Sequence, residues 1–134
     1  MRKTYQGSCH CGAVRFEADL DLSQGTYKCN CSMCSKMRTW IAMINPEAFR
    51  LISGDTALFD YQFGRKAVHH VFCKHCGIHP FGWAHDPESG DKKYVISLMC
   101  LDDISDQELA TAPVSYSDGR NDNWKTPPTE TQHL

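Results

Sequence analysis

Apolar and polar residues alternate through most of this chain, the pattern of strands with one face in a core and the other in water. After Gly12, Val14, Phe16 and Ala18 alternate with Arg15, Glu17 and Asp19, which predicts a half-buried strand. Thr26-Tyr27-Lys28 reads as a short second strand running into a cysteine-rich stretch. Arg38 to Ile44 is a third, closed by Asn45-Pro46, and Phe49 to Ile52 a fourth, stopped by Ser53-Gly54-Asp55. Leu58 to Phe63 alternates as a fifth and ends at Gly64. Lys66 to Phe72 is a sixth and delivers Cys73, and Lys92 to Cys100 is a seventh.

Helix is scarce. Ser105 with Glu108 three residues on fits a capping box, which opens one short helix ending before Pro113. From Asp122 to Leu134 the chain is polar and holds Pro127-Pro128, so this tail is expected to be irregular or mobile. The pattern predicts a mainly β chain with little helix, organised as one domain over residues 1–134.

Composition adds a constraint on stability. A chain of 134 residues, 41% hydrophobic and 22% charged, is ordinary for a soluble globular protein. Its core is modest, so a structural metal would matter. Met1 to Gln6 carries no apolar leader segment, and no run is long enough to span a bilayer. A cytoplasmic location and no membrane partner are therefore expected. In a reducing compartment, clustered cysteines more often hold metal than pair as disulfides. The net charge is −2, thiolates around zinc make the chain more negative still, and no block of five or more Lys/Arg is present. These features argue against a nucleic-acid partner held through phosphates.

Seven of the eight cysteines carry the chemistry. Cys9 and Cys11 form a C-x-C pair, and Cys73 and Cys76 a C-x-x-C pair. Together they supply four thiolates, enough to close a tetrahedral zinc that staples the first strand to the sixth. Gly12 and Gly77 follow these pairs and allow backbone amides to approach sulfur. Cys29, Cys31 and Cys34 form a C-x-C-x-x-C triplet. Three ligands leave one tetrahedral position open, the pattern of a catalytic zinc that can take a substrate thiol. Two other readings stay open. A histidine can complete the triplet, with His10, His69, His70, His75, His79 and His85 available by type, or its C-x-x-C part can form a disulfide when metal-free.

Other residues are less specific. Lys36, Arg38, Arg65, Lys66, Lys74 and Arg120 can pair with carboxylates of an anionic thiol, or simply face water. His79 to Trp83 can wall a pocket or belong to the core, and Asp118-Gly119-Arg120-Asn121 reads as a turn. Cys100 reads as a buried apolar filler ending a strand.

Three segments in order, Gly7 to Val14, Cys29-Asn30-Cys31-Ser32-Met33-Cys34 and Phe72 to Gly77, resemble the glutathione-dependent formaldehyde-activating enzyme family. Cys100 to Asp103 and Asp118 to Asn121 are similar to further family segments, so the likeness covers about residues 7 to 124, with an irregular tail over 125–134. The resemblance implies a mostly antiparallel, tent-like β domain built around a four-cysteine zinc. Cys9, Cys11, Cys73 and Cys76 match the structural ligands, and Cys29, Cys31 and Cys34 the active-site ligands of a second, less firmly bound zinc. It also implies carbon–sulfur lyase chemistry, joining formaldehyde to glutathione or cleaving the adduct. The alternative is a non-catalytic zinc module, or a thiol or redox sensor, that binds a partner.

Overall fold

The computed structural model describes residues 1–134. Its strands are β1 (Lys3–Ser8), β2 (Arg15–Leu20), β3 (Thr26–Cys29), β4 (Ile41–Ile44), β5 (Phe49–Ser53) and β6 (Leu58–Tyr61). They continue with β7 (Val68–Cys73), β8 (Phe81–His85), β9 (Lys92–Ser97) and β10 (Val114–Ser117). Two short helices interrupt them, α1 (Ser32–Met37) and α2 (Asp106–Thr111), beside several single 3-10 turns. The chain is mainly β, as its alternation predicts. No helix is long and apolar enough to cross a membrane.

The strands form two sheets. One has three strands in the order β1-β2-β5, and the other seven in the order β10-β3-β4-β9-β8-β7-β6. Every pairing is antiparallel except β10 with β3. The two sheets meet through aromatic side chains that alternation points inward. The Phe16 ring of β2 stacks on Phe49 of β5 at 5.7 Å and meets Phe81 of the larger sheet edge-on at 5.5 Å. Phe49 also stacks on Tyr94 of β9 at 4.1 Å. Val14, Ala18, Ala42, Ile96 and Leu98 close the core around them. Each large apolar side chain so buried contributes roughly 1.5–3 kcal/mol. Gly7 serves this core by having no side chain, since a Cβ there would lie 2.2 Å from the Phe16 ring.

Several sequence expectations change. β1, β8 and β10 are additional strands. The third predicted strand begins at Ile41 instead of Arg38, because Arg38 adopts φ 55° as the left-handed C-cap of α1. The seventh ends at Ser97, and Leu98–Cys100 forms a 3-10 turn. Cys100 is consequently half-buried in a turn and does not end a strand. The predicted helix is α2, with its capping box formed in both directions between Ser105 and Glu108. The tail beyond Lys125 holds no strand or helix.

Candidate metal centres and the cavity between them

The first cysteine pair lies in the turn joining β1 to β2. The Cys9 amide donates to the Val14 carbonyl at 3.1 Å, and the Gly12 amide to Cys9 O at 3.2 Å. Gly12 sits at φ 81° to close that turn. The second pair is built the same way at the end of β7, where the Gly77 amide donates to Cys73 O at 2.7 Å with φ 79°. Both turns aim their sulfurs at one point. Cys9 Sγ lies 3.6 Å from Cys11 Sγ, which lies 3.7 Å from Cys73 Sγ. All four sulfurs, Cys76 included, fall within 4.8 Å of one another.

These separations test the donor set. A disulfide needs about 2.05 Å between sulfurs. A zinc ion about 2.3 Å from four tetrahedral sulfurs places neighbours about 3.8 Å apart. The cluster has the second geometry, and its residues fit a metal ion. Backbone amides point at the same sulfurs, Val14 N–H at Cys9 Sγ (3.3 Å) and His75 N–H at Cys73 Sγ (3.4 Å). Such donors stabilise thiolate. Amides of Cys11 and Ile78, with neighbouring thiols, hold Cys76 down to about 6.

The triplet forms where β3 runs into α1. Cys29 ends β3, Cys31 is the N-cap of α1, and Cys34 stands in its first turn. The Cys31 amide donates to Cys29 Sγ and the Cys34 amide to Cys31 Sγ, each at 3.3 Å. The three sulfurs lie within 4.8 Å of one another, and no histidine nitrogen or carboxylate joins the group. Thiols of Cys29 and Cys34 press Cys31 down to about 2, while Cys29 and Cys34 are pushed up, Cys34 strongly. Three adjacent thiolates repel, so only a cation lets all three ionise together. A set of three sulfurs with that constraint fits a metal ion with an open position.

Asn30, between two of these cysteines, was not singled out by sequence, yet it organises the site. Its buried side chain donates to Asp118 Oδ1 at 2.8 Å and accepts from the Arg120 amide at 3.0 Å. Ser35 Oγ donates to the Asn30 carbonyl, and the Arg120 guanidinium donates to Ser35 Oγ. The Asp118 to Asn121 turn is thereby fastened over the triplet. A Cβ on Gly119 would lie 2.7 Å from Cys29 Sγ and 2.8 Å from the Trp124 ring.

A cavity of about 630 Å³ opens in front of the triplet. Its floor is one face of the seven-stranded sheet. His70, Gly82, Val95 and Met43 pair in one row across β7, β8, β9 and β4. Ile41, Val68, Ala84 and Ser97, two residues along their strands, share that face and also line the cavity. Met33 and Met37 of α1, with Trp124, form the sides. Of the cations considered from sequence, Arg120 lines this cavity and Arg38 a neighbouring one of about 500 Å³; Lys28 lines the larger one too. His79, Phe81 and Gly82 do wall the cavity.

Three histidines line it in different environments. His69 bonds through Nδ1 to Asp60 and stacks on Trp83, ring centres 3.4 Å apart. Burial pushes His70 down, with His79 adding to the effect, and burial also lowers His79. His79 Nδ1 is buried with no hydrogen-bond partner. Cys100 lines the smaller cavity, donates its thiol proton to the His79 carbonyl at 3.7 Å, and is pushed up by burial.

A model of the glutathione-dependent formaldehyde-activating enzyme family matches residues 4–117. Among solved structures, a crystal structure of a Rhodobacter sphaeroides protein is similar to this chain. It shares 28% identity with a TM-score of 0.69, over 82% of this chain and 99% of that one.

Proposed function

This chain belongs to the glutathione-dependent formaldehyde-activating enzyme family, and we propose that it is a zinc-dependent carbon–sulfur lyase that forms or cleaves a thiol–aldehyde adduct. The observation that carries the reading is the contrast between the clusters. Four sulfurs form a closed set at the junction of β1 with β2 and the end of β7, while three stand at the mouth of a cavity with no fourth protein donor. In this reading Cys9, Cys11, Cys73 and Cys76 hold a structural zinc. Cys29, Cys31 and Cys34 hold the working one. When bound there, zinc supplies a fourth position for a substrate sulfur and keeps that sulfur as thiolate at neutral pH.

The chain's own groups do the rest. Asn30 fixes the Asp118 to Asn121 turn against the triplet, which holds Cys29 in place. Cleavage of the adduct breaks the C–S bond, leaves the electron pair on sulfur, and releases the hydroxyl proton as the carbonyl forms. His70 and His79, which burial favours in the neutral form, face the cavity and can accept that proton. Arg120 at the cavity wall can receive a carboxylate of the thiol.

The test is direct. Zinc-loaded protein should accelerate exchange between formaldehyde, glutathione and their adduct, followed by exchange NMR, and Cys31→Ser should abolish the acceleration. Equal rates with and without protein, across several thiols and aldehydes, would remove the lyase reading. Retained thiol binding under those conditions would point to the non-catalytic sensor instead.

A further inference from the structure

The outward face of an antiparallel sheet is ordinarily polar. Here the face turned away from the core carries Ile41, Met43, Val68 and Val95, and Met43 stands 49% exposed. Met33, Met37 and Trp124 continue this apolar lining up to the three sulfurs. A one-carbon aldehyde would leave nearly all of it uncovered. Apart from the three cysteines, no acidic side chain lines the cavity. Its two cations are Lys28 and Arg120. Lys28 is engaged, its Nζ donating to the Leu134 carbonyl at 3.0 Å and lying over the Trp40 ring. Arg120 spends one N–H on Ser35 and keeps the remainder of its donors.

From this lining we propose that the preferred substrate is the adduct of an aldehyde bearing an apolar chain or ring with a thiol that carries a carboxylate. The proposal deepens the lyase reading and rests on it. A sulfur seated beside Cys29, Cys31 and Cys34 places the aldehyde carbon against the sheet face. The methionines adapt to different chain shapes, since their side chains are unbranched and polarisable. A carboxylate on the thiol finds Arg120.

The experiment compares adducts of mercaptoacetate with formaldehyde, propanal, hexanal and benzaldehyde, each rate divided by its own uncatalysed rate. kcat/KM is expected to rise roughly fourfold per methylene from propanal to hexanal. Mercaptoacetate adducts should outpace those of ethanethiol, which lacks the carboxylate. Met43→Gln should flatten the chain-length series. Calorimetric titration with ethanethiol and hexanethiol reads the cavity without turnover, and hexanethiol should bind the more tightly. If formaldehyde adducts are accelerated but longer aldehydes are not favoured, the substrate proposal is overturned and the lyase reading stands. If no adduct is accelerated, the lyase reading falls and the substrate proposal with it. Equal binding of the two thiols overturns the apolar-ligand assignment on its own.

Discussion

Gly119 shows how tightly the three-sulfur site is built, because its missing side chain is the space that Cys29 Sγ and Trp124 occupy. A thiol free to rotate would yield to an added methyl group, but a sulfur held by a metal would not. Gly119→Ala is therefore expected to weaken metal at the triplet by roughly tenfold, the range for groups that support ligands. The four-sulfur cluster should keep its ion. Native mass spectrometry should show two ions falling to one as zinc is limited, and two ions held as firmly as in wild type would refute the crowding argument. The cysteines themselves were readable from the sequence, because ligand spacing is short and local. Asn30, Gly119 and Trp124 were not. Their importance comes from contacts with residues about ninety positions away, and the Asp118 to Asn121 turn announces only that it is a turn.

A strand with strict alternation, such as β2, was predictable, whereas β1, β8 and β10 were not, for separate reasons. In β1 only Tyr5 and Gly7 face inward, and Gly7 is the slot for the Phe16 ring, so the pattern shows no apolar residue there. β8 carries Gly82, whose Cβ would meet the His69 carbonyl at 2.5 Å. β10 is four residues long and pairs in parallel with β3, far away in sequence. α1 is six residues, too short for helical periodicity to register. The one helix foreseen, α2, rests on its cap. Ser105 Oγ accepts from the Glu108 amide at 3.1 Å, and Glu108 accepts from the Ser105 amide at 2.7 Å. Ser105→Ala should cost about 1 kcal/mol in urea unfolding. Glu108 also ties α2 to β1 through Lys3 and the Tyr5 hydroxyl, both at 2.6 Å. Lys3 foremost, then Tyr5 and the Ser105 amide, hold its carboxyl down from 4.5 to about 2. The folded pKa is the lower one, so this stabilisation is complete above pH 4.5 and is lost as pH falls towards 2. The stability difference between wild type and Glu108→Gln should shrink across that window, and a constant difference would show that the carboxyl does not titrate as described.

The four-sulfur cluster connects the sheets themselves. Cys9 and Cys11 follow β1 in the three-stranded sheet, and Cys73 and Cys76 end β7 in the larger one. An ion held there would clip together the layers that Phe16, Phe49 and Phe81 already pack. Structural zinc supplies on the order of 10–16 kcal/mol in small peptides, as much as the whole stability of many domains. Cys11 is exposed and Cys76 half-buried, but Cys9 and Cys73 are buried, one beside each sheet, so full release from this site is expected to require the sheets to part. The triplet borders an open cavity and all three of its cysteines are half-exposed, so release there requires no unfolding. Chelation should accordingly proceed in two stages. The first ion leaves quickly, takes thiol binding and adduct turnover with it, and leaves the far-UV circular dichroism unchanged. The second leaves slowly, at the rate of global opening, and the thermal transition collapses as it goes. Cys73→Ser should go directly to the unstable state, while Cys31→Ser should stop at the first stage with its fold intact. If both ions left together with unfolding, the two clusters would be one cooperative structural unit, and the division between a closed site that holds the sheets and an open site that meets substrate would be wrong.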